Sequence, residues 1–252
     1  MNERRPQLQA GFVLHQRPYR DSSLILHVFS REQGRFALVA RGARRPKSRQ
    51  RGLLQAFRPL LLSWRLGGEM GTLTSVEGDG AAYALHGDRL LAGFYINELV
   101  LRLCGRHDPH PALYDRYRDS LAALGSEQPL SAVLRGFEKE ALACLGYALP
   151  LAAHCLDGSP IESNRRYRFD VDAGAQPLSL EETARGYSGR TLLALLNDDW
   201  TDREALSEAR LLLASALSPH LGSQPLKTAQ VLRNLRRRGL SDGDRDNSGK
   251  GE

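Results

Sequence analysis

The hydrophobic period of this chain changes once, near residue 80, and that change constrains the fold more than any other feature. Before it come five short apolar or alternating runs: Leu8–His15, Ser23–Phe29, Arg35–Arg41, Phe57–Leu66 and Thr72–Glu77. RPYRDS, SREQGR, a long basic run and RLGGEMG separate them, and these segments carry turn chemistry. Alternation at a period of two between turn residues is the signature of strands. Five short strands in about eighty residues predict a small closed barrel, for which the OB-fold is the economical candidate. On pattern alone an SH3-like barrel is its rival.

Beyond Ala82 the period is helical. Helices are expected over Asp88–Cys104, Pro111–Leu124, Ser131–Leu145, Ser188–Asn197 and Asp202–Leu217, with a last one from about Gln224 to Arg238. Ser131 is the expected N-cap of the third helix and Gly146 its stop. Pro, Gly and Asp interrupt residues 149–180, which also hold a strand-like YRFDVD at 167–172. The expected fold is therefore α+β: a barrel over 1–80, a helical domain over 81–240 with a small β-rich insertion at 149–180, and a disordered tail over 241–252, where apolar residues are absent.

Charge follows the same division. The net charge of the chain is +6, yet residues 1–80 hold 14 of its 35 Lys and Arg against 6 of its 29 Asp and Glu. The remaining 21 cations face 23 carboxylates, so all the positive excess belongs to the expected barrel. Localised excess points to an anionic partner, of which nucleic acid is the commonest. Its centre is ARGARRPKSRQRG at 40–52, where six of thirteen residues are cations and none is acidic. Arg41, Arg44, Arg45, Lys47, Arg49 and Arg51 repel one another unless a partner offsets them. Gly42, Pro46 and Gly52 keep the run from being helical. The reading is a mobile loop that follows a phosphate backbone with salt-sensitive, sequence-blind affinity. Arg35, in a neighbouring strand, joins the candidates. Phe36, Phe57 and Trp64 are aromatics of the kind OB-folds stack on bases, although Phe36 and Phe57 read better as barrel core.

Enzymatic chemistry finds little support. There is no G-x-x-x-x-G-K-[ST], G-x-S-x-G or H-E-x-x-H, and carboxylates are scattered rather than paired for metal-dependent nuclease chemistry. His107 and His110, among prolines, read as a surface loop. Cys104 and Cys144 sit in apolar helical contexts and read as small buried hydrophobes. The chain holds no run of about eighteen apolar residues that would span a bilayer. MNERRPQLQAG lacks the apolar stretch of a secretory signal, so the expectation is a cytoplasmic protein.

Two cations sit where a single-faced helix meets apolar surface. Arg135 borders the face formed by Val133, Leu134, Phe137, Ala141 and Leu145, next to Leu142. Lys227 borders the face formed by Val231, Leu232 and Leu235, while Arg233 and Arg237 point away. Such cations commonly snorkel. A cation at the lip of an apolar groove also suits an acidic peptide ending in a hydrophobic residue.

Several segments together resemble the RecO family, the bacterial recombination mediators of DNA repair. They are FVLHQRPYRDSSLILHVFSREQGRFALVARGARR at 12–45, GLLQAFRPLLLSW at 52–64, GFYINELVLRL at 93–103, LRGFEKEALACLGYALPLAAHC at 134–155, SGRTLLALLN at 188–197 and LGSQPLKTAQVLRNL at 221–235. The resemblance implies an OB-fold followed by a helical domain, and a function without a chemical step or cofactor. It implies binding of single- and double-stranded DNA, ATP-independent annealing, and action with RecR to load RecA onto DNA coated by single-stranded-DNA-binding protein (SSB). It further implies recognition of the acidic, Phe-ending SSB tail by basic residues at the positions of Arg135 and Lys227. Some members carry a four-Cys zinc site in the insertion. Here Cys155 stands alone beside His154, so no zinc is expected. An OB-fold RNA-binding or translation-associated module is the alternative; it would share the basic barrel without needing Arg135 and Lys227.

Overall fold

A computed structural model of the chain describes residues 8–65, 67, 70–179, 186–228, 230 and 231. The described residues fall into two compact units, within Met1–Val28, Ala37–Arg102 and Leu221–Glu252 for one, and Phe29–Phe36 and Leu103–His220 for the other.

The five expected strands form a closed barrel. β1 (Gln9–Tyr19), β2 (Ser23–Ser30), β3 (Gly34–Ala40), β4 (Leu60–Arg65) and β5 (Gly71–Gly78) run in the order β1-β2-β3-β5-β4. β4 pairs antiparallel with both β1 and β5, and a short parallel seam joins β3 to β5 at Leu38↔Gly71 and Val39↔Thr72. This mixed five-stranded closure is the OB arrangement. β3 shows how the sequence specifies it: Gly34, Phe36, Leu38 and Ala40 are buried, while the residues between them are half-exposed. β1 is buried at four consecutive positions, residues 11–14, and Val13 among them bridges to Ala56.

Two strand limits differ from expectation. β1 runs on through an exposed Pro18, which leaves only Arg20–Ser22 for the turn. β4 starts at Leu60 rather than Phe57, because Phe57 has a φ of 62° and Pro59 offers no N–H to the ladder. The Phe57 ring is buried and lies 4.9 Å from that of Phe94. Phe94 belongs to α1 (Gly87–Leu103). A Cβ on Gly93 would fall 2.9 Å from the Phe57 ring, so Gly93 lets helix and ring meet. The buried Asn97 amide of α1 donates to the Leu14 carbonyl at 2.9 Å.

In the other unit, α2 (Pro111–Leu124) opens with proline at its first turn, where the missing N–H is no loss. α3 (Leu130–Cys144) begins one residue early, so Ser131 lies inside the helix and Pro129 takes the cap position without a side-chain bond. Its end is as expected: Gly146 has a φ of 86°, and the N–H groups of Gly146 and Tyr147 return to Ala143 and Leu142 in a Schellman closure. Ser188 caps α4 (Gly189–Asn197), accepting from the Thr191 N–H, and Asp202 caps α5 (Arg203–Leu217), accepting from Glu204 and Ala205. Within the insertion, β6 (Arg166–Asp170) pairs antiparallel with β7 (Gly174–Pro177), and just beyond it with β8 (Tyr187–Ser188). Residues 227, 228, 230 and 231 are helical; the rest of the helix expected to Arg238, with Leu232, Arg233, Leu235 and Arg237, and the tail 241–252 lie outside the described residues. Among the described residues no helix is long and apolar enough to cross a membrane.

Candidate nucleic-acid interface

The basic run follows β3 directly. Instead of hanging free, it is a chain of tight turns. The N–H groups of Arg45, Ser48 and Arg51 donate to the carbonyls three residues back, and Leu53 does the same to Gln50. Residues Arg49–Gly52 form a single 3-10 turn. Ala40 and Leu54, both at 0% exposure, anchor the two ends in the core. Between them Arg41, Arg44, Arg45, Lys47, Arg49 and Arg51 are all exposed. Among the described residues none of these six makes an ion pair.

The cations are not equivalent. The Arg44 N–H donates to the Ser22 carbonyl at 2.8 Å, and its guanidinium donates to the Arg20 carbonyl at 3.3 Å. Arg44 therefore fastens the run to the β1–β2 turn. Arg45 folds back over Gly42; a Cβ there would stand at an ordinary 3.6 Å from the Arg45 side chain, so it is the φ of 69° rather than space that calls for glycine. Among the described residues Arg41, Lys47, Arg49 and Arg51 make no side-chain hydrogen bond or ion pair, and all four are exposed to solvent.

The docking brings in Arg20, which sequence reasoning passed over as part of a turn. Arg20 is exposed, has a φ of 50°, and places its guanidinium carbon 5.2 Å from the centre of the Tyr19 ring. The adjacent Tyr-Arg pair was the available signal. Phe36 and Phe57 are 2% and 4% exposed and belong to the core, as their apolar setting suggested. Trp64 is half-buried, packed beside Gly71.

Arg35 belongs to the other unit. Its half-buried guanidinium donates to the Cys104 carbonyl at 3.0 Å, and its backbone bridges to Arg106. Burial, and then the Arg106 charge, lower its pKa from the usual value. These contacts make Arg35 a residue that holds β3 to the segment 104–107.

Arg135 is 5% exposed, not at the lip of a groove. The wheel assumed one buried face, but α3 packs against both α2 and α5, so residues 133–138 are all buried. The guanidinium meets Glu138 at 2.6 Å, while its Nε has no hydrogen-bond partner among the described residues. Lys227 lies in the other unit and is exposed. Its backbone N–H donates to Glu98 at 3.0 Å.

No group of three or more His, Cys, Asp or Glu side chains among the described residues could hold a metal ion. Cys155 is buried and His154 exposed. Cys104 is 2% exposed, and burial pushes its thiol up to about 12.

Comparison with known proteins supplies the context. Residues 5–79 match the family described as recombination protein O N terminal, and residues 85–230 match recombination protein O C terminal. The DNA repair protein RecO of Alkalilimnicola ehrlichii is 44% identical over 233 residues, covering 91% of this chain and 92% of its own. That of Aromatoleum aromaticum is 41% identical over 228 residues, covering 90% and 95%. That of Cupriavidus metallidurans is 41% identical over 229 residues, covering 90% and 77%. With both halves matched in order over a barrel and a helical unit, the chain belongs to the RecO family, whose members are non-enzymatic recombination mediators of DNA repair.

Proposed function

We propose that this protein binds single- and double-stranded DNA through its barrel and anneals complementary strands without ATP. The observation that carries the reading is the run of six exposed cations, without an ion pair among the described residues, pinned at both ends by buried side chains. A fixed cationic ridge neutralises phosphates and releases counterions from each strand it touches. Two strands held at one ridge repel less and meet at higher local concentration. In the cytoplasm, beside the nucleoid, the protein acts with RecR to load RecA onto SSB-coated single strands. Arg135 and Lys227 are each assigned to the acidic SSB tail: Lys227 offers an exposed ammonium, whereas Arg135, buried against Glu138, is assigned by the family resemblance alone.

The test is charge reversal with two readouts. Replacing Arg44, Arg45 and Lys47 by Glu is expected to weaken DNA binding and annealing at least tenfold at low salt, and to leave tail-peptide binding intact. Lys227→Glu is expected to do the reverse. Equal loss of both activities in both variants, with folding retained, overturns the division of roles. Binding of structured RNA with no measurable affinity for the tail peptide replaces the reading with an RNA-binding module.

A further inference from the structure

Glu98 and Arg102 stand one turn apart on α1, their side chains only 15% and 18% exposed, and pair at 2.9 Å. Each also grips the chain far downstream. One Glu98 oxygen accepts the Lys227 N–H at 3.0 Å; the other accepts the Thr228 N–H at 2.9 Å and the Thr228 hydroxyl at 2.7 Å. Arg102 donates to the carbonyls of Leu221, Gln224 and Pro225. The carboxylate thus takes N–H groups at the start of a helical stretch, where donors lack internal partners and negative charge is favoured. The guanidinium takes the carbonyls just upstream. Apolar burial contributes little here, since residues 222–225 and 227 are exposed and Leu226 is half-buried. Burial opposes ionisation of Glu98, but the bonds from Thr228, Lys227 and Arg102 outweigh it and hold its pKa below the usual value.

We infer that Glu98 is a positioning residue for Lys227, its carboxylate clamping the backbone at 227–228 so that the ammonium is presented to an acidic peptide from one fixed place. The inference rests on the proposed role of Lys227. It also gives the YINEL segment a physical content: Asn97 ties α1 to β1, and Glu98 ties it to the segment bearing Lys227.

The sign of one substitution separates positioning from simple charge. Glu98 is an anion close to Lys227, so if proximity were all that mattered, Glu98→Gln would strengthen binding of an acidic peptide. If Glu98 positions Lys227, the same change weakens it. Fluorescence polarisation with an acidic peptide ending in Phe, on the full chain, reads the difference. The expected loss for Glu98→Gln is about tenfold, the scale of one hydrogen bond to a charged group. Glu98→Gln added to Lys227→Ala should cost nothing beyond Lys227→Ala alone. Thr228→Ala should weaken binding, and Thr228→Ser, which keeps the hydroxyl, should restore it. Amide exchange at Lys227 and Thr228 should quicken in Glu98→Gln while exchange in the barrel strands does not change, which shows that the fold persists. Tighter or unchanged binding in Glu98→Gln, with Lys227→Ala still weakening it, overturns the positioning role and spares the proposed function. Unaltered binding in Lys227→Ala overturns both.

Discussion

A cation that also braces its own loop responds to mutation differently from one that only faces solvent. Arg44 is of the first kind; Arg20, over Tyr19, is of the second. Arg20→Ala is expected to lower the slope of log K against log salt for single-stranded DNA by about 0.7, the share of one phosphate contact. Arg44→Lys keeps the charge but not the forked donor, so it should lower affinity with a smaller change of slope; equal slopes for wild type and Arg20→Ala would remove Arg20 from the interface. Glycines give a stability contrast. Gly93→Ala drives a Cβ to within 2.9 Å of the Phe57 ring and 2.8 Å of Leu85, and should cost about 1–3 kcal/mol in a denaturant titration. Gly136→Ala crowds the far end of Arg116, which can swing aside, and meets Trp200 at an ordinary 3.8 Å, so it should be close to neutral. The six cations of the run were legible in sequence because charge is a local property. Arg20 was not, because its place beside the run depends on two bonds from Arg44, a residue 24 positions away.

At the level of elements, one carboxylate ties the small sheet to two helices. Glu208 of α5 accepts the N–H and hydroxyl of Ser188 at the head of α4, the Thr191 hydroxyl, and the guanidinium of Arg166 on β6. Burial works against its charge, yet Ser188, Thr191 and Arg166 outweigh burial and hold its pKa below the ordinary glutamate value. A depressed folded-state pKa stabilises the fold at pH above the unfolded value, and the gain disappears as pH falls through the folded value. The Glu208 contribution should therefore be complete at neutral pH, begin to fall near the unfolded value of about pH 4.3, and vanish only below the lower folded value. Glu208→Gln should lower stability by about 1–3 kcal/mol at pH 7 and have a shallower acid limb than wild type. The helix starts at Ser188 and Asp202 and the stop Gly146 were readable, since each acts on the residues next to it. The N-cap of α3 and the burial of Arg135 were not: α3 packs on both sides, and a wheel drawn for one helix counts one partner.

For the whole molecule, the excess of positive charge in residues 1–80 predicts that DNA affinity falls steeply between low and physiological salt, as a filter-binding titration would show. An annealing rate indifferent to salt would contradict it. The change of period near residue 80 was enough to announce a barrel followed by helices. The order β1-β2-β3-β5-β4 was beyond the sequence pattern, because period assigns strands but not their partners. That order has a kinetic consequence. The barrel closes only when Leu38 and Val39 reach Gly71 and Thr72, and the loop they enclose contains the entire basic run. Closing a loop of about thirty residues carries an entropic cost, and mutual repulsion among the cations adds to it. Closure should therefore be the slow event in refolding, and moderate salt, by screening the run, should speed refolding even as it weakens DNA binding.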